Sequence, residues 1–169
     1  MMNKLVLTAV IGAAMLTGCA SKRLPVDGNS YAPGAGETPV VENTLASLQA
    51  DLAASAGSDR VLFGYDSFTL TQEARQTLVR QAEWLRRHPD VAFSIEGHCD
   101  ERGTRDYNLA LGDRRARAAA ALLAAEGISP MRIRTISYGK ERPEALGSDE
   151  TSYAANRRAV SIVIGNNGG

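Results

Sequence analysis

Between residues 60 and 165, four short stretches of the chain alternate apolar with small or polar residues. Val91, Phe93 and Ile95, for example, are separated by Ala92 and Ser94, which is typical of a strand with one buried face. The strands are predicted at residues 61–65, 91–96, 132–138 and 159–164. The segments that separate them have a longer period, so strands and helices are predicted to alternate.

Two of the separating segments carry apolar residues at the three- and four-residue spacing of amphipathic helices. One helix is predicted to begin after the N-cap Thr71 and to end before Pro89. A second is predicted from about Asn108 to Glu126, with a glycine just after its end, and a loop or a helical turn is expected at residues 152–157. The order β-α-β-α-β-(α)-β predicts a two-layer α/β sandwich, with the helices on one face of a mixed four-stranded sheet.

The start of the chain has a different character. Lys4 is followed by a short apolar run that ends in Leu16-Thr17-Gly18-Cys19. Such a run is typical of a cleaved signal, because a membrane-spanning helix needs roughly 20 apolar residues. Its end resembles the bacterial lipobox, so Cys19 is predicted to be lipidated and to become the mature N-terminus. Ala20, in place of an acidic residue, resembles the signal for transport to the outer membrane.

The segment that follows Cys19 is rich in proline, glycine and polar residues, which predicts a flexible linker. Leu45, Leu48 and Leu52 have helical spacing, and we interpret them as an unstable nascent turn in preference to a partner-binding helix. The predicted parts of the chain are a signal peptide at 1–18, a lipidated N-terminus and linker at 19–59, a folded domain at 60–165 and a tail at 166–169.

Charge and cysteine content narrow the possible partners. The chain has 19 Lys+Arg and 19 Asp+Glu, so it lacks the excess of bases that nucleic-acid binding requires, and no nucleic-acid partner is expected. Most of the bases are arginines, which favour forked contacts with carboxylates. With Cys19 lipidated, Cys99 is the remaining cysteine, so no intramolecular disulfide is expected and the thiol is open to oxidation or to disulfide-linked dimerisation.

The second predicted strand ends in polar residues and leads directly into a helix, which is where open α/β folds bind ligands. On a helical wheel, Arg115 falls beside Asn108 at the edge of the apolar stripe, whereas Arg114 points to solvent. A half-buried guanidinium needs an anionic partner, and Asp100 is the nearest candidate. Two interpretations remain open: Asp100 and Arg115 pair with each other, or they bind the two charges of a small zwitterion together with Asp66.

A larger set of motifs supports a family resemblance. These motifs are Phe63-Gly64-Tyr65-Asp66, Gly97-His98, Asp100-Glu101-Arg102-Gly103-Thr104, Tyr107-Asn108, Leu111-Gly112, Arg114-Arg115-Ala116, Tyr138-Gly139-Lys140-Glu141, Pro143, and Tyr153 with Asn156-Arg157-Arg158-Ala159-Val160. With the lipobox and the linker, they resemble the peptidoglycan-associated lipoproteins of the Tol-Pal system, a family of OmpA-like domains. The resemblance covers nearly the whole chain.

The resemblance implies a non-enzymatic lipoprotein of the outer membrane, with its domain facing the periplasm. It implies non-covalent binding of peptidoglycan through the free zwitterionic end of diaminopimelate in the stem peptide, without a cofactor. The family's central ligand contacts match Asp100 and Arg115, and further site residues match Asp66, Asn108 and Leu111. The implied partners are Tol-system proteins, TolB-like and TolA-like, and the implied role is envelope integrity and cell division. Cys99 departs from the family pattern, in which a small residue such as Thr or Ala is more common.

Two other chemistries use the same residues. His98-Cys99-Asp100-Glu101 contains four types of metal ligand, but neighbouring residues on a strand point in different directions, so no metal site is expected. A cell-wall hydrolase with paired carboxylates is the alternative function. Arg115 close to Asp100 would keep that carboxylate ionised, which is unsuited to a general acid, so binding is favoured over catalysis.

Overall fold

The computed structural model describes residues 44–165, which form four α-helices and four strands. The bounds are α1 Leu45–Ala56, β1 Arg60–Leu62, α2 Gln72–Arg87, β2 Val91–His98, α3 Arg105–Ala125, β3 Ile133–Gly139, α4 Glu150–Asn156 and β4 Arg158–Gly165. The signal peptide, Cys19, most of the linker and the tail at 166–169 lie outside the described residues, so what was expected of them remains a prediction.

The strands form a mixed sheet in the order β1-β4-β2-β3. Strand β2 runs parallel to β3 and antiparallel to β4, and β4 runs antiparallel to β1. One core joins α1, α2 and α3 to the sheet, with Trp84, Phe93 and Leu123 fully buried in it. The predicted α/β sandwich with a mixed four-stranded sheet is confirmed.

Helix α3 begins one turn earlier than the sequence pattern predicts, at Arg105. The cause is Thr104, whose side-chain oxygen accepts a hydrogen bond from the Tyr107 amide at 3.3 Å. The helix ends as predicted, with Gly127 at a φ of +88° and hydrogen bonds that close its last turn. The early start places Asn108 inside the helix, facing the loop that follows β2.

Close packing holds α3 against β2. Gly97 on the strand lies against Gly112 on the helix, and a Cβ atom on Gly97 would overlap the Gly112 carbonyl oxygen. The two glycines therefore let the backbones touch. This contact fixes the first turns of α3 beside the end of β2, where the candidate ligand residues lie.

The interpretation of the three spaced leucines as an unstable turn is wrong. Residues 45–56 form helix α1, with Leu52 and Ala56 completely buried. A helix of this length is marginal by itself, so its stability comes from packing on the rest of the domain. The folded part of the chain therefore begins before residue 60.

One side chain explains how α1 is attached to the sheet. Strand β1 has three residues and leaves part of the β4 edge without a partner strand. The Gln49 side chain covers that edge: its Oε1 accepts from the Val163 amide at 2.7 Å, and its Nε2 donates to the Ser161 carbonyl at 3.0 Å. A glutamine thus satisfies backbone groups that a longer strand would have paired.

The burial of α1 predicts a large effect of Leu52→Ala. We expect the free energy of unfolding to fall by about 2–5 kcal/mol, because the substitution leaves a cavity in the core. Leu45→Ala on the same helix is the matched control: Leu45 is 50% exposed, so a change within about 0.5 kcal/mol is expected. Denaturant unfolding of the full chain measures both, and equal effects would mean that α1 does not pack as described.

Candidate ligand-binding site

A cavity of about 230 Å³ lies where the loop after β1, the loop after β2 and the start of α3 meet. All five residues predicted to bind a ligand line it, namely Asp66, Asp100, Asn108, Leu111 and Arg115. Tyr65, Arg102 and Tyr107 also line the cavity, and the sequence interpretation assigned them no role. The structure therefore brings the predicted residues together and adds aromatic and cationic groups around them.

Arg115 is more deeply buried than the helical wheel predicts, with 1% of its surface exposed. Its guanidinium donates to the carbonyls of Ser67 at 2.8 Å, His98 at 2.8 Å and Gly64 at 3.1 Å. The wheel placed Arg115 at the core edge because it describes only the helix, whereas the loop after β1 closes over this edge. These bonds use three of the five N–H groups of the side chain.

Of the two interpretations left open by the sequence, the direct ion pair between Asp100 and Arg115 is wrong. Within residues 44–165, no carboxylate oxygen lies within 4.0 Å of the Arg115 guanidinium nitrogens. Burial lowers the pKa of Arg115, but an arginine stays protonated at neutral pH. A buried cation with no carboxylate at ion-pair distance therefore lies at the wall of the cavity that Asp100 also lines.

Asp100 has two arginine partners instead. Its Oδ1 accepts from the main-chain amide of Arg102 at 3.1 Å and from Arg102 Nε at 3.2 Å, and its Oδ2 accepts from Arg102 Nη2 at 2.6 Å. Arg157 Nη1 lies 3.5 Å from Oδ2. Burial acts to raise the pKa of Asp100, but the hydrogen bonds from Arg102 outweigh it and lower the pKa below its usual value. Asp100 is therefore a carboxylate at neutral pH.

Aromatic rings hold Arg102 in place. Its guanidinium lies over the rings of Tyr65 and Tyr153, 4.3 Å from the centre of each. Such cation–π contacts orient the side chain without consuming its hydrogen-bond donors. Arg102 is therefore positioned at the mouth of the cavity with its fork directed at Asp100.

The remaining predicted residues shape the cavity wall. Asp66 has a φ of +48° and accepts a hydrogen bond from the Tyr107 hydroxyl. A positive φ is uncommon for a residue other than glycine, and such positions concentrate at functional sites. Asn108 is buried and donates to the carbonyls of Arg102 at 2.7 Å and Thr104 at 3.0 Å, which ties the loop after β2 to α3. Leu111 is buried and adds an apolar surface.

The four adjacent residues considered as metal ligands diverge in the structure. His98 stacks on Tyr138, with ring centres 5.6 Å apart, and Glu101 accepts from the Tyr153 hydroxyl at 2.9 Å. The Cys99 thiol is buried and directed at the Asn108 carbonyl at 3.4 Å, and burial raises its pKa. The raised pKa keeps the thiol protonated, which disfavours the oxidation and dimerisation expected of an accessible thiol.

His98 gives the domain a pH-dependent stability. Burial lowers its pKa from 6.5 to about 4, and the positive charges of Arg158, Arg142 and Arg60 act in the same direction. Below pH 6.5 the unfolded chain takes up a proton on His98 before the folded chain does. The contribution of His98 to the free energy of unfolding is therefore fully present above this pH and is lost as the pH falls towards 4. We expect a loss of up to about 3 kcal/mol.

The variant His98→Gln tests this assignment. Denaturant unfolding at pH 7 and pH 4.5 should show a markedly smaller loss for the variant than for the original chain, since glutamine does not titrate. Equal losses in the two proteins would assign the pH dependence to other groups.

Within the described residues, no helix has both the length and the apolar character needed to cross a bilayer. Residues 62–157 match the OmpA family. The chain is 46% identical over 158 residues to the peptidoglycan-associated lipoprotein of Brucella melitensis, covering 93% of this chain and 90% of the relative. It is 38% identical over 161 residues to that of Haemophilus influenzae, covering 94% of this chain and 98% of the relative.

Solved structures are similar as well. The crystal structure of the peptidoglycan-associated lipoprotein from Burkholderia pseudomallei matches with a TM-score of 0.63 and 38% identity, covering 68% of this chain and 100% of the other. The C-terminal domain of Helicobacter pylori MotB matches with a TM-score of 0.60 and 21% identity, covering 64% of this chain and 86% of the other, a similarity of fold alone.

Proposed function

The chain belongs to the OmpA family and, within it, to the peptidoglycan-associated lipoproteins, and on this premise we propose that its domain binds peptidoglycan non-covalently. The proposed ligand is the free zwitterionic end of diaminopimelate in the stem peptide. Its carboxylate would bind Arg115 and its ammonium would bind Asp100. The buried charge of Arg115, which has no carboxylate partner on the described chain, supports this proposal most directly.

Charge and size both agree with such a ligand. Burying an arginine without an ion-paired anion costs free energy. A carboxylate ligand at Arg115 therefore gains from neutralising this charge as well as from the hydrogen bonds that it accepts. A cavity of about 230 Å³ is smaller than the pockets that enclose drug-sized molecules, and it suits one amino-acid end group. Asp100, held ionised by Arg102, supplies the negative charge for the ammonium.

The proposed role is binding and not hydrolysis. A glycosidase needs a carboxylic acid with a raised pKa to protonate the leaving group, whereas the pKa of Asp100 is lowered. Incubation of the full chain with purified cell wall tests the two functions together. We expect the protein to pellet with the wall and no soluble muropeptides to appear in the supernatant; enzymatic release of muropeptides would establish the hydrolase instead.

We further propose that Cys19 is lipidated and anchors the chain to the outer membrane, with the domain in the periplasm. Two or three acyl chains together anchor a protein stably, while one does so only marginally. Tol-system proteins, TolB-like and TolA-like, are the proposed protein partners. Through them and the wall the chain would contribute to envelope integrity and cell division.

Cys19→Ser is expected to remove the acyl chains. Metabolic labelling with radioactive palmitate should mark the original chain and leave the variant unlabelled, and the variant should move from the membrane fraction to the soluble fraction. Cys99→Ser is the matched control, because its thiol is buried in the domain, and its labelling should equal that of the original chain. Undiminished labelling of Cys19→Ser would place the lipid elsewhere.

A further inference from the structure

The Asp100 carboxylate is engaged chiefly by Arg102 in this structure. A carboxylate offers about four lone-pair sites. Arg102 fills two on Oδ1, with its main-chain amide at 3.1 Å and its Nε at 3.2 Å, and one on Oδ2, with Nη2 at 2.6 Å. Arg157 Nη1 lies 3.5 Å from Oδ2, within ion-pair distance but without a hydrogen bond. A ligand ammonium that binds Asp100 must therefore compete with Arg102, which donates every hydrogen bond that this carboxylate accepts within the described residues.

Arg102 is the donor that can move. The Arg157 side chain is 8% exposed and is fixed by bonds to the Phe63 carbonyl at 3.1 Å and Glu150 Oε1 at 2.8 Å. The Arg102 side chain is 35% exposed, and its Nη1 already lies 3.9 Å from Glu150 Oε2. A small displacement would carry its guanidinium from Asp100 to Glu150.

The two tyrosines provide a path for this displacement. The Arg102 guanidinium lies 4.3 Å from the centres of both the Tyr65 and the Tyr153 rings. Cation–π contacts persist to about 6 Å, so a small displacement of the guanidinium keeps them. The exchange breaks an ion pair with a buried carboxylate, since the Asp100 side chain is 7% exposed, and this loss is offset when the ligand ammonium replaces Arg102 on Asp100.

We propose that Arg102 occupies the ammonium position of the site in the free protein and moves to Glu150 when a zwitterion binds, a role that rests on the function proposed above. A zwitterion displaces Arg102 because its carboxylate gains Arg115 in the same event. A simple amine lacks that second contact and fails to displace it. A simple dicarboxylate binds at Arg115 and leaves Arg102 in place. Arg102 is thus a specificity-determining residue that rejects amines.

Three small probes separate these cases: meso-diaminopimelate, pimelate, which lacks the amino groups, and cadaverine, which lacks the carboxylates. Chemical-shift titration of the full chain in detergent measures their dissociation constants. Arg102→Met keeps an unbranched side chain beside the tyrosines but removes every side-chain donor. We expect this variant to bind diaminopimelate about three- to tenfold more tightly and to acquire measurable cadaverine binding, with pimelate unchanged.

Arg105→Met is the matched control, since Arg105 is an exposed arginine nearby in the sequence that pairs with Glu141 at 3.1 Å. All three dissociation constants should stay within twofold of the original. Glu150→Gln provides a second test, because it removes the negative charge to which Arg102 moves while keeping an oxygen acceptor for Arg157. We expect it to weaken diaminopimelate binding and to leave pimelate binding unchanged.

Weaker binding of both diaminopimelate and pimelate to Arg102→Met would show that Arg102 holds the ligand directly, and would overturn the proposed displacement. Unchanged binding of diaminopimelate to this variant would overturn it as well, while leaving the proposed function intact. An absence of binding by the original chain and by every variant would overturn the proposed function and the displacement together.

Discussion

Arg115→Ala is expected to abolish pelleting with purified peptidoglycan and to lower the free energy of unfolding by about 3 kcal/mol or more. Binding is lost because the substitution removes the buried cation that the ligand carboxylate is proposed to contact. Stability is lost because the carbonyls of Gly64, Ser67 and His98 all lose their guanidinium donor and a cavity remains. An arginine at the edge of the core would have left the fold unaffected, so the size of the stability loss also tests its burial.

Two further variants separate binding from folding. Arg115→Lys keeps a positive charge but loses the planar fork, so we expect weaker pelleting and a smaller loss of stability. Arg117→Ala, on the same helix, removes an exposed arginine that pairs with Asp113 at 2.8 Å. It should bind normally and change the stability by no more than about 0.5 kcal/mol. Full binding by Arg115→Ala, measured on protein that circular dichroism shows to be folded, would remove Arg115 from the site.

Asp100→Asn is expected to weaken binding about 10- to 100-fold, because hydrogen bonds to a charged partner contribute about 1.5–3 kcal/mol and asparagine has the same shape without the charge. Arg157 keeps Glu150 as a partner, so the fold should persist. Pelleting of the full chain over a range of protein concentrations measures the effect. Asp106→Asn, an exposed acid in the first turn of α3, is the control and should bind like the original chain. Equal affinities of the Asp100 variant and the original chain would contradict the ammonium contact.

The elements that the sequence predicts well are those with a strong local signal. Thr71 caps α2 and Pro89 follows its end as predicted, because capping and chain termination depend on residues within one turn. The sequence indicates the helical spacing of α1 but not its stability, because that comes from distant partners: the amide of Gln49 binds Val163, more than a hundred positions along the chain. The pattern of apolar residues at 45–56 gives no information about that contact.

The candidate site shows the same difference between what local sequence signals predict and what distant contacts determine. The position of Asp100 at the end of a strand and of Arg115 on the next helix predicts that they face one cavity, as they do. The groups that bind these two side chains lie largely in loops, where no hydrophobic periodicity predicts their positions. The carbonyls around Arg115 come largely from the loop after β1, and Arg157 reaches Asp100 from the end of α4. The bond from the Arg102 main-chain amide to Asp100 is open to prediction, since an aspartate in a loop often accepts from the amide two positions further on.

The central claim is that Arg115 and Asp100 together bind a free zwitterionic end of diaminopimelate. Titration of the full chain with two soluble stem peptides, identical except that the free diaminopimelate amino group is acetylated in one, tests it most directly. We predict saturable binding of the free peptide and at least tenfold weaker binding of the acetylated one, because acetylation removes the charge that Asp100 binds. Equal affinities for the two peptides would contradict the claim.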